Sequence, residues 1–340
     1  MPKAQMKKSR AQVTPMKFLS DVWSARAALT LVAAVELDVF TAIAEGNKTA
    51  AAVAKAIKAS KRGIELLLDA LVALGYLTKR GEQFSLTPVS DTFLVRTKPS
   101  YIGAMADETR ITFPIWMQVT DVIRTGKPVS GVDTAEGREF FPRLVRAIFP
   151  LSYNSARALV RSLPQAKLKK IERVLDVAAG SAAWSLPFAQ ALPNARVTAV
   201  DYPEVTAVTR EYAQQFGVAD RYDYLEGDLR QLDFGQKQYD VVILGHIIHS
   251  EGEKWGKTLI AKSYKALKPG GTLVIAEMVP NDTRTGPPMP VLFGLTMFLV
   301  THEGDVFTMA QYKDWLKRAG FTSIKTVEVQ SPSPLILATR

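Results

Sequence analysis

The segment Arg173-Val-Leu-Asp-Val-Ala-Ala-Gly-Ser-Ala-Ala-Trp184 decides the fold of this chain. Residues 173–178 form a short apolar run around Asp176, which predicts a buried strand of a parallel sheet. Small residues follow from Ala178 to Ala182 and predict a tight turn, after which a helix begins. A strand, a tight turn and a helix in this order are typical of the first unit of a doubly wound α/β domain.

A second segment, Val197-Thr-Ala-Val-Asp-Tyr-Pro203, repeats this pattern one unit later. It predicts another buried strand, and Asp201 stands at its end. In doubly wound sheets, ligands bind beyond the carboxyl ends of the strands. A carboxylate at the end of the second strand is well placed to accept hydrogen bonds from both hydroxyls of a ribose. Asp201 therefore predicts a nucleoside-bearing ligand.

The composition of the turn indicates which nucleoside fits. A dinucleotide site needs Gly-x-Gly-x-x-Gly, so that a pyrophosphate can approach bare backbone. Here Gly180 is the only glycine of the turn, and Asp176 would repel a pyrophosphate. An acid at this position suits a cation, and we predict S-adenosyl-L-methionine, which carries an ammonium and a sulfonium. A nicotinamide dehydrogenase and a βαβ turn without a ligand are the alternatives.

The whole chain bounds the class of protein. At 340 residues, two domains are more natural than one. The chain has no cysteine, which excludes disulfides and thiolate metal sites, and its net charge of +10 is scattered as on a solvated surface. No apolar run reaches the roughly 20 residues of a membrane span, and the N-terminus lacks the core of a signal peptide. We therefore expect a disordered basic tail over 1–16, a cytoplasmic location and no contact with a membrane.

Residues 17–95 predict a winged helix. The periodicity from Phe18 to Phe40 predicts one long helix, two shorter helical patterns follow, and two strands then meet around Gly81. On the third helix, acidic side chains would meet DNA phosphates unfavourably. The first helix is apolar around most of its circumference, which suggests burial against another subunit. We expect a dimerisation domain and a homodimer without nucleic acid; a DNA-binding, ligand-sensing regulator is the alternative.

Residues 96–167 predict a helical linker, because large apolar groups recur between helix breakers. Ligand sites favour domain interfaces, so we expect part of this segment to line the substrate pocket. The predicted substrate contacts here are Phe113, Trp116, Met117 and Tyr153. From 168 to 340, strands and helices alternate. This alternation predicts a Rossmann-like domain with a doubly wound, mostly parallel sheet and helices on both faces.

Further residues at the strand ends are predicted to complete the cofactor site. Glu226-Gly-Asp228 ends the third strand, where Asp228 is placed to bond the adenine amino group. The alternative for Asp228 is a helix-capping acid. The predicted cofactor-binding set is Asp176, Ala178, Gly180, Asp201, Tyr202, Asp228, Leu229 and Gly245.

Two of the three histidines, His246 and His249, follow the fourth strand, where the ligand crevice is expected. A histidine titrates near ~6.5 and suits removal of a proton from a phenol, whose pKa lies near ~10. We predict that His249 is a general base and that Glu277, closing the fifth strand, holds its imidazole in one tautomer. The alternatives are structural roles for each of these groups. No third nearby histidine or cysteine cluster supports a metal site, so we predict none.

The segment Pro287-Pro-Met-Pro-Val-Leu-Phe-Gly-Leu-Thr-Met-Phe-Leu299 is rich in methionines and aromatic groups, which suit a flat apolar substrate. We expect Met289, Phe293 and Met297, together with His246, to line the substrate pocket. Simple core packing is the alternative for these side chains.

Taken together, these motifs resemble those of the small-molecule O-methyltransferases, a class I family that depends on S-adenosylmethionine. The family includes plant caffeate and isoflavone enzymes, animal hydroxyindole O-methyltransferase and bacterial natural-product tailoring enzymes. The resemblance covers nearly the whole chain. It implies that Leu175-Asp-Val-Ala-Ala-Gly180 is the donor loop, Val200-Asp-Tyr-Pro203 holds the ribose acid, and Gly227-Asp228 holds the adenine acid. It also implies that Ile248-His249 holds the base and Ala276-Glu277 the orienting acid.

The chain departs from the family pattern at several positions. Ala178, Ala179 and Ala182 stand where the donor loop usually carries glycines, which narrows its φ range. Val306 stands where plant relatives carry a second orienting acid, with Asp305 beside it. The resemblance implies methyl transfer from S-adenosylmethionine to a hydroxyl of an aromatic or polyketide-like small molecule. Methyl transfer to carbon or nitrogen is the alternative.

Overall fold

The structure, a computed structural model, describes residues 13–129, 140–329 and 334–340. The chain divides into two compact units, the first ending at Ala106 and the second beginning at Asp107. Most of the predicted basic tail over 1–16 lies outside the described residues.

The first unit is a winged helix, as the sequence predicts. Its elements are α1 (Met16–Glu36), α2 (Val39–Ala44), α3 (Ala50–Ala56), α4 (Lys61–Ala73), β1 (Leu77–Arg80), β2 (Gln83–Leu86) and α5 (Pro88–Phe93). Ser60 caps α4 by accepting a hydrogen bond from the Gly63 N–H, and Gly81 turns the hairpin with φ 58°. Asp38 takes a left-handed conformation, φ 56°, between α1 and α2. The single helix predicted from Phe18 to Phe40 is therefore two helices.

Helix α1 leaves much of its apolar surface exposed. Met16, Phe18, Val22 and Trp23 are each more than 40% exposed, the lowest being Val22 at 48%. Among the described residues, α1 is the one helix that is long and apolar enough to cross a membrane by length and composition. The expectation that no segment reaches that length is wrong for α1, because few charged residues interrupt its 21 residues.

The second unit is built on a seven-stranded sheet. Its strands are β3 (Arg173–Val177), β4 (Arg196–Asp201), β5 (Tyr222–Glu226), β6 (Tyr239–Gly245), β7 (Leu267–Ala276), β8 (Ser323–Val327) and β9 (Leu335–Thr339). They lie in the order β5-β4-β3-β6-β7-β9-β8, and all neighbours are parallel except that β9 runs antiparallel to β7 and β8. This confirms the doubly wound, mostly parallel sheet that the alternation of strands and helices predicts.

The remaining helices connect these strands and precede them in the chain. They are α6 (Met105–Trp116), α7 (Val119–Thr125), α8 (Phe141–Ser162), α9 (Gln165–Leu168), α10 (Leu186–Ala191), α11 (Pro203–Gln215), α12 (Ile248–Ala266), α13 (Pro288–Val300) and α14 (Met309–Ala319).

Helices cover both faces of the sheet, and the strand residues alternate between two cores. In β3, Val174 joins a cluster with Phe188 of α10, whereas Leu175 joins a second cluster with Ile260 of α12. The chain places β3, β4 and β5 side by side and then continues on the other side of β3 with β6. This reversal of strand order opens a crevice beyond the carboxyl ends of β3 and β6.

Candidate functional site

The turn after β3 forms one wall of the crevice. Ala178, Gly180 and Ala182 all have left-handed φ values, between 57° and 58°. Such values strain an alanine but not a glycine. A Cβ on Gly180 would lie 3.1 Å from Cγ1 of Val145 on α8, so a side chain at this position would crowd that helix. The turn is thus held tightly even though alanine replaces glycine at two of its left-handed positions.

Two buried acids stand behind this turn. Asp176 is 1% exposed, and neither of its carboxylate oxygens forms a hydrogen bond of good geometry with a described residue, although the Ser185 hydroxyl and N–H lie near it and offset part of the effect of burial on its pKa. Asp201 is 8% exposed and accepts hydrogen bonds from the N–H groups of Gly180, at 2.9 Å, and Tyr202, at 2.8 Å. Burial raises the pKa of Asp176 to about 7 and that of Asp201 to about 6.

These two acids fit a cationic, ribose-bearing ligand. A buried carboxylate without well-formed hydrogen bonds costs free energy, which a positive charge placed beside it would recover. Asp201 keeps acceptor capacity for hydroxyl groups, because a carboxylate can accept about four hydrogen bonds. The residues at the ends of β3 and β4 therefore suit a sulfonium nucleoside.

The end of β5 contributes further polar groups. Glu226 accepts hydrogen bonds from the Thr206 hydroxyl, at 2.6 Å, and from the Arg210 guanidinium, at 2.9 Å. Asp228 follows Gly227 and accepts a hydrogen bond from the Arg230 N–H at 2.9 Å. This last bond closes a local turn and caps no helix, because the described residues between β5 and β6 form none, and the remaining lone pairs of Asp228 are available to a ligand.

His249 and Glu277 form a buried pair on the other side of the crevice. His249 Nδ1 lies 2.6 Å from Glu277 Oε2. Glu277 Oε1 accepts hydrogen bonds from the N–H groups of Ile248, at 2.7 Å, and His249, at 3.3 Å. Burial works to raise the pKa of Glu277, but the adjacent His249 outweighs it and holds that pKa below its ordinary value. A carboxylate at Nδ1 leaves Nε2 of His249 as the nitrogen that can accept a proton.

The backbone around His249 is fixed by contacts from a distant loop. Helix α12 starts at Ile248 and is interrupted at Gly252, where φ is 75° and ψ is 178°. A Cβ on Gly252 would lie 2.4 Å from the carbonyl oxygen of Glu303. The N–H of Asp305 donates to the carbonyl of His249 at 2.9 Å. His249 therefore lies on a short helical turn that the residues after α13 hold in place.

A row of rings lines the crevice. The ring centroids of Trp184 and His246 are 5.8 Å apart, those of His246 and His249 are 6.0 Å apart, and Phe293 meets His249 edge-on at 4.8 Å. A Cβ on Gly245 would lie 2.3 Å from Trp184 Cδ1, so the indole occupies the space that this glycine leaves. Burial lowers the pKa of His246 to about 4, which keeps this imidazole neutral at physiological pH.

Ligand atoms of His246, His249 and Glu277 lie within 4.8 Å of one another, close enough to hold a metal ion. Both oxygens of Glu277 are already engaged, one by two backbone N–H groups and the other by His249. The arrangement is that of a histidine oriented by a carboxylate, as in acid–base pairs of hydrolases.

Comparison with known proteins matches this geometry to a family. Residues 139–322 match the family model described as the O-methyltransferase domain, and residues 24–96 match the O-methyltransferase dimerisation domain. The first match alone covers more than half of the chain. The chain belongs to the O-methyltransferase family. It is an enzyme that transfers methyl groups, which confirms the resemblance drawn from the sequence motifs.

This methyltransferase is similar to bacterial and animal relatives along most of its length. It is 32% identical to 3-hydroxy-5-methyl-1-naphthoate 3-O-methyltransferase of Streptomyces sahachiroi, over 89% of this chain and 88% of the relative. It is 30% identical to the tetracenomycin polyketide synthesis 8-O-methyl transferase TcmO of Streptomyces glaucescens, over 90% and 91%. The solved structure of human N-acetylserotonin methyltransferase in complex with SAM matches with a TM-score of 0.80 and 25% identity, covering 98% of this chain and 99% of that one.

The structure brings part of the predicted substrate set of the methyltransferase together. Trp116, Phe293 and Met297 belong to one apolar cluster, and Phe293 contacts His249. Phe113 lies half-buried on α6, whereas Met117 and Met289 are 75% and 57% exposed.

Tyr153 lies apart from this set. Its hydroxyl bonds to Gln190 at 2.7 Å, and its ring packs on Phe149 and Phe216. Gln190 and Phe216 stand at the carboxyl-terminal ends of α10 and α11, which lead away from the crevice. Tyr153 therefore packs between helices and is not brought to the rings that line the crevice.

Sequence reasoning missed several features of the methyltransferase site. Trp184 ends the donor segment, and none of the sequence motifs predicts its contact with His246. Asp305, the neighbour of Val306, pairs with Arg284 at 2.6 Å. The predicted cofactor residue Leu229 is 6% exposed, and its carbonyl accepts a hydrogen bond from the Lys262 ammonium at 2.6 Å.

Proposed function

We propose that this enzyme transfers a methyl group to a hydroxyl of an aromatic or polyketide-like small molecule, with His249 as general base. The observation that carries the proposal is the buried His249–Glu277 pair, with Nδ1 bonded to the carboxylate at 2.6 Å. The alternative is a purely structural histidine. That role would not require the Glu277 carboxylate, which is 0% exposed, to fix one nitrogen of the imidazole.

The methyl donor is S-adenosyl-L-methionine, which supplies an electrophilic methyl group on a positively charged sulfur. Asp176 and Asp201 are the residues that would hold its positive and ribose portions. Asp176 offers two oxygens without a hydrogen bond of good geometry, and Asp201 is aligned by the N–H groups of Gly180 and Tyr202. We propose Ala178, Asp228, Leu229 and Gly245 as further cofactor contacts.

His249 makes the acceptor a better nucleophile. Because Glu277 holds the proton on Nδ1, Nε2 can take the proton of an acceptor hydroxyl. Glu277 then stabilises the imidazolium through the same short hydrogen bond. The acceptor oxygen would supply the electron pair of the new bond to the methyl carbon, and the carbon–sulfur bond of the donor would break with its electron pair left on sulfur. His246, neutral because burial lowers its pKa to about 4, does not compete for this proton.

The apolar rings favour a flat aromatic acceptor. Phe293 and Trp116 belong to one cluster beside His249, and Trp184 and His246 add two further rings. The relatives from Streptomyces carry names that specify a naphthoate and a tetracenomycin polyketide, which are aromatic acceptors of this kind. We propose Phe113, Met117, Met289 and Met297 as outer parts of the same pocket.

A product assay tests this function. The enzyme is incubated with S-adenosylmethionine and a panel of hydroxynaphthoates, hydroxylated polyketide aromatics and N-acetylserotonin, and methyl ethers are sought by mass spectrometry. Matched compounds without the hydroxyl serve as controls. We expect methyl ethers from the hydroxylated members and none from the controls. Methylation of the controls would instead identify a carbon or nitrogen acceptor.

We further propose that the enzyme is a homodimer and acts without nucleic acid. The exposed apolar residues of α1 fit a second copy of this chain, in agreement with the match to a dimerisation domain. Lysines that would face DNA pair with acids: Lys79 lies 2.6 Å from Asp69, and Lys61 lies 3.6 Å from Glu65. Sedimentation of the purified enzyme tests whether it is a homodimer. The predicted cytoplasmic location and absence of membrane contact stay predictions.

A further inference from the structure

The second unit contains a cavity of about 260 Å³ at the end of the sheet opposite to the crevice. It lies between the connection from α8 to α9, at Leu163 and Pro164, and the strands β7, β9 and β8. Thr272 shows at which end of the sheet the cavity lies, because this residue pairs with Thr339 near the end of β9. Glu277 follows the other end of β7, so the cavity is separate from the methyl-transfer site.

Two lysines line this cavity without compensating charges. Lys167 and Lys325 both face it, and neither forms an ion pair with a residue of the described chain. Burial lowers the pKa of Lys167, and the nearby charge of Lys325 lowers it further. The like charges of the two lysines repel each other, and a shared anion would relieve that repulsion.

A buried hydroxyl adds a second, independent observation. Thr272 is 3% exposed, and its Oγ1 has no hydrogen-bond partner among the described residues. Buried polar groups are almost always hydrogen-bonded, so an unpartnered one calls for an explanation. Thr272 lines the cavity, so a polar group bound there is one source of the missing partner.

The remaining walls restrict the chemistry of a ligand. Leu163, Pro164, Val327 and Leu337 give the cavity apolar walls beside the two lysines. Its volume lies just below the roughly 300 Å³ at which pockets for drug-sized molecules begin. A highly charged phosphate ester would leave the apolar walls unused, whereas a neutral molecule would leave the lysines unpaired. One negative head on a small apolar body satisfies both sides.

We propose that this cavity is a binding site for a small amphipathic carboxylate, with its head between Lys167 and Lys325 and its apolar body on Leu163 and Leu337. The site lies entirely in the second unit, and the argument for it is independent of which methyl acceptor the enzyme uses.

Anomalous scattering from iodine and calorimetry test this site together. Crystals of the full chain are soaked with para-iodobenzoate, and the iodine is located from its anomalous signal. In solution, the same probe is titrated into the wild type and into Lys167→Met and Lys325→Met, which retain an apolar stem but lose the charge. Lys169→Met is the matched control, because Lys169 is an exposed neighbour that does not line the cavity. The neutral para-iodobenzamide is the matched probe.

We expect iodine in the cavity and roughly five-fold weaker binding of the benzoate to each of the two cavity variants, in the range measured for partly exposed ion pairs. The Lys169 variant should bind as the wild type does, and the benzamide should bind more weakly than the benzoate. Iodine found only elsewhere, equal affinity for the two probes, unchanged affinity in both cavity variants, or no binding would each overturn the proposal.

Discussion

Asp176 provides the sharpest test of the donor site, because its buried carboxylate forms no hydrogen bond of good geometry with a described residue. Burial raises its pKa from 3.8 to about 7. One pKa unit corresponds to about 1.4 kcal/mol. Ionised Asp176 therefore destabilises the ligand-free enzyme by about 4 kcal/mol at pH values above 7.

The sign of the pH dependence follows from the two states of the chain. The folded enzyme keeps the proton of Asp176 up to about pH 7, whereas the unfolded chain releases it near pH ~4. The stability that the protonated form provides is fully present below about pH 4, falls as the pH rises from there, and is lost once the pH has passed about 7. Asp176→Asn has nearly the same shape and cannot ionise. We expect this variant to unfold less readily than the wild type at pH 8, and its advantage to be smaller by about 3 kcal/mol at pH 5.

Urea unfolding of the ligand-free enzyme at pH 8 and pH 5 measures this difference. Asp220→Asn serves as the control, because the Asp220 side chain is 82% exposed and its loss should change little. The Asp176 variant should also bind S-adenosylmethionine more weakly at pH 8, because the negative charge that attracts the sulfonium is gone. A gain in stability that is absent, or equal at the two pH values, would refute burial as the cause of the raised pKa.

Three further changes test other parts of the site. Gly180→Ala should lower the free energy of unfolding by about 1–2 kcal/mol, because alanine is strained at positive φ. In urea melts, adding Val145→Ala should restore part of this stability, because it removes the contact of the new Cβ with Val145 Cγ1 at 3.1 Å. Gly245→Ala places a methyl 2.3 Å from Trp184 Cδ1, so we expect the indole to move and its fluorescence spectrum to shift, and an unshifted spectrum would contradict the packing. Glu277→Gln should reduce kcat by roughly 100-fold or more, as loss of an orienting acid does. Calorimetry should show that the variant retains its affinity for the cofactor. An unchanged kcat would show that Glu277 has no part in the mechanism.

The local pattern of the sequence predicts the sheet and its polar ends well. Strand residues such as Val174 and Leu175 are apolar on both faces, which is expected only for a strand covered on both sides. Because parallel strands end at one edge, acids that close successive strands must lie near one another, as Asp176 and Asp201 do. Their burial and the bond from Gly180 to Asp201 follow from this arrangement.

Other features depend on contacts between segments that are distant in the chain, and the periodicity of the sequence does not predict such contacts. Trp184 reaches His246 because Gly245 leaves room for the indole, and neither residue reveals this alone. Tyr153 is aromatic and lies on a helical pattern, but the direction in which α8 turns it depends on the packing of α10 and α11. The break between α1 and α2 at Asp38 requires a left-handed conformation that an aspartate adopts only in context.

The most direct test of the central claim is a single-turnover measurement on His249→Ala, saturated with S-adenosylmethionine and given an acceptor that the wild type methylates. The structure predicts nearly unchanged cofactor affinity, because Asp176 and Asp201 lie on β3 and β4 whereas His249 lies on α12. It also predicts a transfer rate that is lower by roughly 100- to 10,000-fold, the contribution of a positioned general base. A rate equal to that of the wild type at a pH where the acceptor is protonated would contradict the assignment of His249 as the base.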